Sequence, residues 1–199
     1  MQSSRRSGKT RKSPERGYQL MSRPDRSAVL PAAVAAWWSY VVLDFVTHAV
    51  VLASWWRSTQ TYWLPPPELF RRIPIGYASF ALYSAALTWL LARLYGERPG
   101  VRIGLRFGAT AGLAFGLMSA LGAYSLFRLS KSFLLVVPAS TTVESVAAGA
   151  AAGWVLGASR PWRRVALVFG IGLLLFVGGV VAQNLFFPTP LDHVIPIGK

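Results

Sequence analysis

Two acidic residues stand where acidic residues are expensive. Asp44 lies near the middle of PAAVAAWWSYVVLDFVTHAVVLASWW, Pro31 to Trp56, a run long and apolar enough to cross a bilayer. Glu144 holds the same position in a second such run, Ser132 to Gly157. A carboxylate at bilayer mid-depth costs about 2.5–3.5 kcal/mol on insertion scales. Each is therefore expected to face protein rather than lipid and to be protonated, hydrogen-bonded or paired. On the first run Tyr40, Asp44 and His48 recur at i, i+4 and i+8, and Thr47 joins the same helical face. On the other run Ser140 and Thr141 lie one turn from Glu144. If the two faces meet, Asp44, His48, Glu144, Thr47 and Tyr40 form one polar site with a few hydroxyls. Proton relays, cation sites and the polar floor of a ligand pocket are built from such parts. The same residues could equally hold helices together, each interhelical hydrogen bond contributing roughly 0.6 kcal/mol.

Other chemistries find less support. The chain has no cysteine, which excludes disulfides, Cys-ligated zinc, iron–sulfur clusters and a Cys nucleophile. His193, the only other histidine, lies in the C-terminal tail, so a paired-histidine haem site within one chain is not expected. One histidine and two carboxylates on separate helices could bind a metal ion, but their spacing is not diagnostic. No metal site and no cofactor are assigned. There is no G-x-S-x-G motif, and Asp44 with His48 supplies two members of a triad without a marked serine. No enzymatic activity is assigned either.

The elements that must position these residues are membrane-spanning helices. The 199 residues are 53% hydrophobic with a mean hydropathy of +0.42, and the apolar residues fall into blocks of span length. The expected architecture is an all-α bundle with five spans over about 31–56, 75–95, 101–126, 132–157 and 165–187. In the third, Gly104, Gly108, Gly112 and Gly116 recur every four residues, and Ala120 continues the row. Gly149, Gly153 and Gly157 form a second row in the fourth. Glycines at this spacing let another helix approach closely, so spans three and four are expected to pack on each other. A phosphate-cradling loop is not expected, since the glycines lie within an apolar span with no Walker lysine. Pro138 should kink the fourth span or free the carbonyl of Leu134. The three consecutive prolines Pro65 to Pro67 are expected to preclude a regular helix between Arg57 and Pro74, leaving Tyr62, Trp63, Leu69 and Phe70 for an interfacial loop.

The charge is +14, concentrated in the N-terminal tail and the short connections. Residues 1–29 are polar and basic, with little to bury, and are expected to be disordered. They do not read as a signal peptide, and Met21 is an alternative start. With five spans, the tail, Arg93, Arg98, Arg102, Arg106, Arg160, Arg163 and Arg164 share one side. Arg57, Arg71, Arg72, Arg128, Lys131 and Lys199 share the other. The more basic side is cytoplasmic by the positive-inside rule, which puts the N-terminus inside and the 188–199 tail outside. The partners this implies are the lipid bilayer and its anionic headgroups at the cytoplasmic face, with a membrane-protein partner or a homo-oligomer as further options. Nucleic acid is not implied, because the basic residues follow the topology.

The pattern DFVTHAVVLASWW, then a Pro-Glu-bearing loop, then the span opening RIGLRFGATAGLAFG, resembles small bacterial inner-membrane proteins classed as domains of unknown function. The resemblance covers Asp44 to about Gly157 and implies a class without a mechanism. The abundance of Arg, Ala and Gly agrees with GC-rich bacterial coding. The expectation is a non-enzymatic structural or accessory subunit of the bacterial inner membrane. The alternative is a small proton or cation carrier or channel working through Asp44, His48 and Glu144.

Overall fold

The computed structural model describes residues 26–58, 66–96 and 99–186. The basic tail through residue 25, the loop aromatics Tyr62 and Trp63, Glu97, Arg98 and the C-terminal residues 187–199 with His193 lie outside the described residues. The described chain is all-helical, and five helices are long and apolar enough to cross a membrane.

The first helix, α1, runs Arg26–Phe45 and continues as a π-helical turn, Val46–Val51, before a short helix α2, Ala53–Ser58. It thus starts before residue 30, where the basic tail was expected to end. Ser27, Ala28 and Val29 carry no breaker, and Ala28 is buried in the core. The span is also broken where the sequence promised one helix to Trp56. In the π-turn the Leu52 N–H reaches back five residues to the Thr47 carbonyl, at 2.8 Å.

Helix α3 runs Pro66–Tyr95, nine residues longer at its start than the expected second span, and it carries Pro74 inside it. The expected proline-broken loop is corrected here. Pro66 and Pro67 occupy the first turn, where a helix has no use for its backbone N–H groups and a fixed φ is already helical. Glu68 and Arg72 pair across that turn at 2.5 Å. Gly96 closes α3 with φ +77° while its N–H bonds to the Ala92 carbonyl, a left-handed terminus that suits glycine.

Helices α4 (Gly100–Leu126), α5 (Phe133–Leu156) and α6 (Pro161–Phe186) complete the bundle. Helix α6 begins four residues before the expected fifth span. Pro161 opens it, so Arg163 and Arg164 belong to its first turn rather than to a loop. Arg164 there donates to the Trp154 carbonyl near the end of α5 and lies over the Trp154 ring, at 5.4 Å from its centroid.

Two helices organise the rest. Helix α5 packs most extensively on α4 and then on α1. Helix α1 packs on α5, α3 and α6. An alanine face of α1, Ala28, Ala32, Ala35 and Ala36, meets Ala148, Ala152, Val155 and Leu156 of α5 in one buried cluster. Aromatic pairs hold α6 to α1: Trp38 stacks on Phe169 at 4.8 Å, and Phe45 meets Phe176 at 4.5 Å.

Candidate functional site

Helix α5 owes its position to the absence of side chains on α4. The two run antiparallel, with Gly104 against Gly149 and Gly153, Gly108 against Ser145, and Gly116 against Pro138. A Cβ added at Gly116 would sit 2.7 Å from the Pro138 Cα, and one at Gly112 would sit 2.5 Å from the Ser145 Cβ. At Gly104 and Gly149 it would strike the partner helix's backbone oxygen. Backbones so close gain dispersion contact and Cα–H···O contacts that larger residues would forbid.

With Thr141, Ser145, Gly149 and Gly153 turned to α4, Glu144 is turned to α1. Its carboxylate meets the C-terminal end of α1 and the π-turn. His48 Nε2 lies 3.1 Å from Glu144 Oε1 and 3.6 Å from Asp44 Oδ1. One donor atom from each of the three residues lies within 4.8 Å of the others. Glu144 is 2% exposed, while the Asp44 and His48 side chains keep 25% of their surface. The approach of His48 to Glu144 is close but not aligned as a hydrogen bond. Glu144 Oε1 is buried and accepts none.

His48 is fixed from its other edge. The Trp56 indole N–H donates to His48 Nδ1 at 2.6 Å, and the two rings lie 5.1 Å apart. An indole nitrogen can only donate, so Nδ1 is the acceptor and the neutral ring carries its proton on Nε2, facing the carboxylates. The π-turn makes this reach available. Its wider turn and the bend at Leu52 let Trp56, eight residues on, fold back over His48.

Tyr40 is buried one turn below Asp44 and lies alongside the Glu144 carboxyl. Its ring contacts Phe80 at 4.8 Å and Tyr83 at 5.5 Å. The Tyr83 hydroxyl exchanges a 2.8 Å hydrogen bond with the Ser145 hydroxyl, tying α3 to α5 beside the cluster.

The fold brings together Asp44, His48, Glu144 and Tyr40 from the sequence reading. Thr47 lies in the π-turn, where its backbone carbonyl accepts from the Leu52 N–H. The hydroxyls near Glu144 are turned elsewhere: Ser140 bonds to the Val137 carbonyl, and Thr141 faces the α4 glycines. The sequence spacing assigned no metal, whereas the folded cluster offers three donor atoms of the kind that bind one. Trp56, Tyr83 and Ser145 were missed. Trp56 reads as an interfacial aromatic in sequence, and only the π-turn turns it back towards His48.

No protein-family model, curated protein or solved structure matches this chain. The functional reading therefore rests on the site itself.

Proposed function

We propose that this chain is a small carrier or channel of the bacterial inner membrane that moves a cation through the Asp44–His48–Glu144 cluster. One observation supports this above the others. Three ionisable groups from two distant parts of the sequence converge within 4.8 Å, and the buried Glu144 Oε1 faces His48 Nε2 at 3.1 Å without an aligned hydrogen bond. Interhelical adhesion would be served by satisfied pairs, and a half-satisfied polar cluster holds a bundle together poorly. Two carboxylates and an imidazole at this spacing are donors that can hold a cation.

In this reading all five span-length helices cross the bilayer. The fifteen basic residues of the tail, the α3–α4 connection and the start of α6 face the cytoplasm and its anionic headgroups. The remaining six of the 21 face outwards. The N-terminus is inside. Glu144, midway along α5, then sits near mid-membrane, and Asp44 and His48 lie beside it at the same depth. Asp44 and His48, partly exposed, form the entry side of the site, and Glu144 its floor.

The reading of a structural or accessory subunit is less favoured, because the α4 glycine row and Gly149 and Gly153 are already covered by contacts between α4 and α5 within one chain. The deciding experiment is cation flux into proteoliposomes under an imposed gradient. Wild-type chain is expected to carry current or dissipate the gradient, and Asp44→Asn and Glu144→Gln to lose it while remaining folded. Equal flux from wild type and both variants would count against the carrier.

A further inference from the structure

The cluster's chemistry says more about which cation it takes. We infer that the site binds a divalent transition-metal ion through Asp44, His48 Nε2 and Glu144, an inference that rests on reading the cluster as a cation site. Charge is the first argument. Metal ligands bind deprotonated, so two carboxylates and a neutral imidazole acting as ligands would carry −2, which a divalent ion cancels inside a low-dielectric bundle. A monovalent ion balances only one of the two carboxylates.

Donor type is the second argument. Oxygen-only cages suit Mg²⁺ and Ca²⁺, whereas an imidazole nitrogen favours zinc, cobalt and their neighbours. Geometry is the third. Glu144 Oε1, almost fully buried, accepts no hydrogen bond and points into the space shared with His48 and Asp44. An oxygen left so is satisfied by a metal at its centre. The three donors fill part of a coordination sphere. The remaining positions are open to exchangeable ligands.

Loading also has a consequence for Trp56. In the structure the ring proton is on Nε2 because Nδ1 accepts the indole N–H. A metal on Nε2 takes that lone pair, so Nε2 gives up its proton and the neutral ring carries one on Nδ1 instead. Nδ1–H then opposes the Trp56 N–H, donor against donor, and the indole must turn away. Metal entry and release of the Trp56 latch are thus one event, with the π-turn as the segment that can accommodate it.

The test uses full-length chain in nanodiscs, purified without a polyhistidine tag. Freedom from cysteine and a histidine count of two leave few competing sites. Co²⁺ is titrated and followed by its visible d–d bands, with Zn²⁺, Mg²⁺ and Ca²⁺ as competitors. One Co²⁺ per chain is expected, displaced by Zn²⁺ and untouched by Mg²⁺ or Ca²⁺. His48→Gln, Asp44→Asn and Glu144→Gln should each weaken it by about tenfold or more, the scale of one charged ligand contact. His193→Gln should leave it unchanged. Trp56→Phe, which keeps an aromatic ring but removes the donor, should tighten it about fivefold, the equivalent of one neutral hydrogen bond. Absence of stoichiometric binding, displacement by Mg²⁺, or loss on His193→Gln alone would overturn the inference. Flux is read on the same preparations. Proton or monovalent flux without Co²⁺ binding sinks the metal inference and leaves the carrier standing, while Co²⁺ binding without any flux does the reverse.

Discussion

Helix α5 meets backbone on one side and side chains on the other. Towards α4 its neighbours are four glycines in a row, and the contact is close and has no room for a single added carbon. Towards α1 and α3 it presents Glu144 and Ser145 to Asp44, His48, Tyr40 and Tyr83, in a contact that is polar and in part unsatisfied. The first seam spends its interactions fully on stability. The second leaves some of them unmade, which is what the proposed cation site requires. A rigid α4–α5 pair is what allows the other seam to keep a buried carboxylate without collapsing around it. The π-turn lies on the polar seam, and the α4–α5 pair contains only α-helix.

That contrast can be broken from either side. The largest effect is expected at the tight seam. Gly149→Leu would drive a side chain into the α4 backbone and should prevent a folded, monodisperse protein from being recovered in detergent. Gly149→Ala should cost about 1–3 kcal/mol in thermal or denaturant unfolding. Next comes the polar seam, where stability and function should separate. Asp44→Asn and Glu144→Gln are expected to reduce cation flux by about tenfold or more, with a smaller fall in unfolding temperature than Gly149→Ala gives. A variant that lost stability but kept flux would erase the distinction between the seams.

Smaller effects sharpen it. Ser145→Ala removes the Tyr83 hydrogen bond and should cost about 1 kcal/mol in the same unfolding measurement. Gly170 and Gly178 of α6 have nothing within 4 Å of an added Cβ. Alanine at either should be neutral or stabilising by about 0.5–1 kcal/mol, the helix-propensity gain alone. Meeting of the two carboxylates can be checked directly in this cysteine-free chain. Asp44→Cys combined with Glu144→Cys should cross-link in membranes with a short bis-thiol reagent, and failure to do so would mean that the two side chains do not share a site.

Much of the bundle was legible from local pattern, because its signals are local. Apolar blocks of span length give five helices, and glycines every fourth residue mark a helix face that a neighbour can approach closely. The cost of a carboxylate in an apolar run singled out Asp44 and Glu144 before any neighbour was known. Boundaries were less legible. The prolines at 65–67 read as a break, yet Pro66 and Pro67 open α3, since proline at a helix start and proline in a loop look alike in sequence.

What the sequence by itself determined is a set of helices, each with a polar or a small-residue face, because both periodicities are written within one element. Only the tertiary structure decided which faces meet. It set Glu144 against His48 and turned Ser140 and Thr141 away. It also placed Trp56 on His48 through a π-turn that no residue in VTHAVV announces. The physical reason is that each of these outcomes depends on the relative rotation and depth of packed helices. Those are fixed by the glycine seam and the alanine face together, at a distance in sequence from the residues they position.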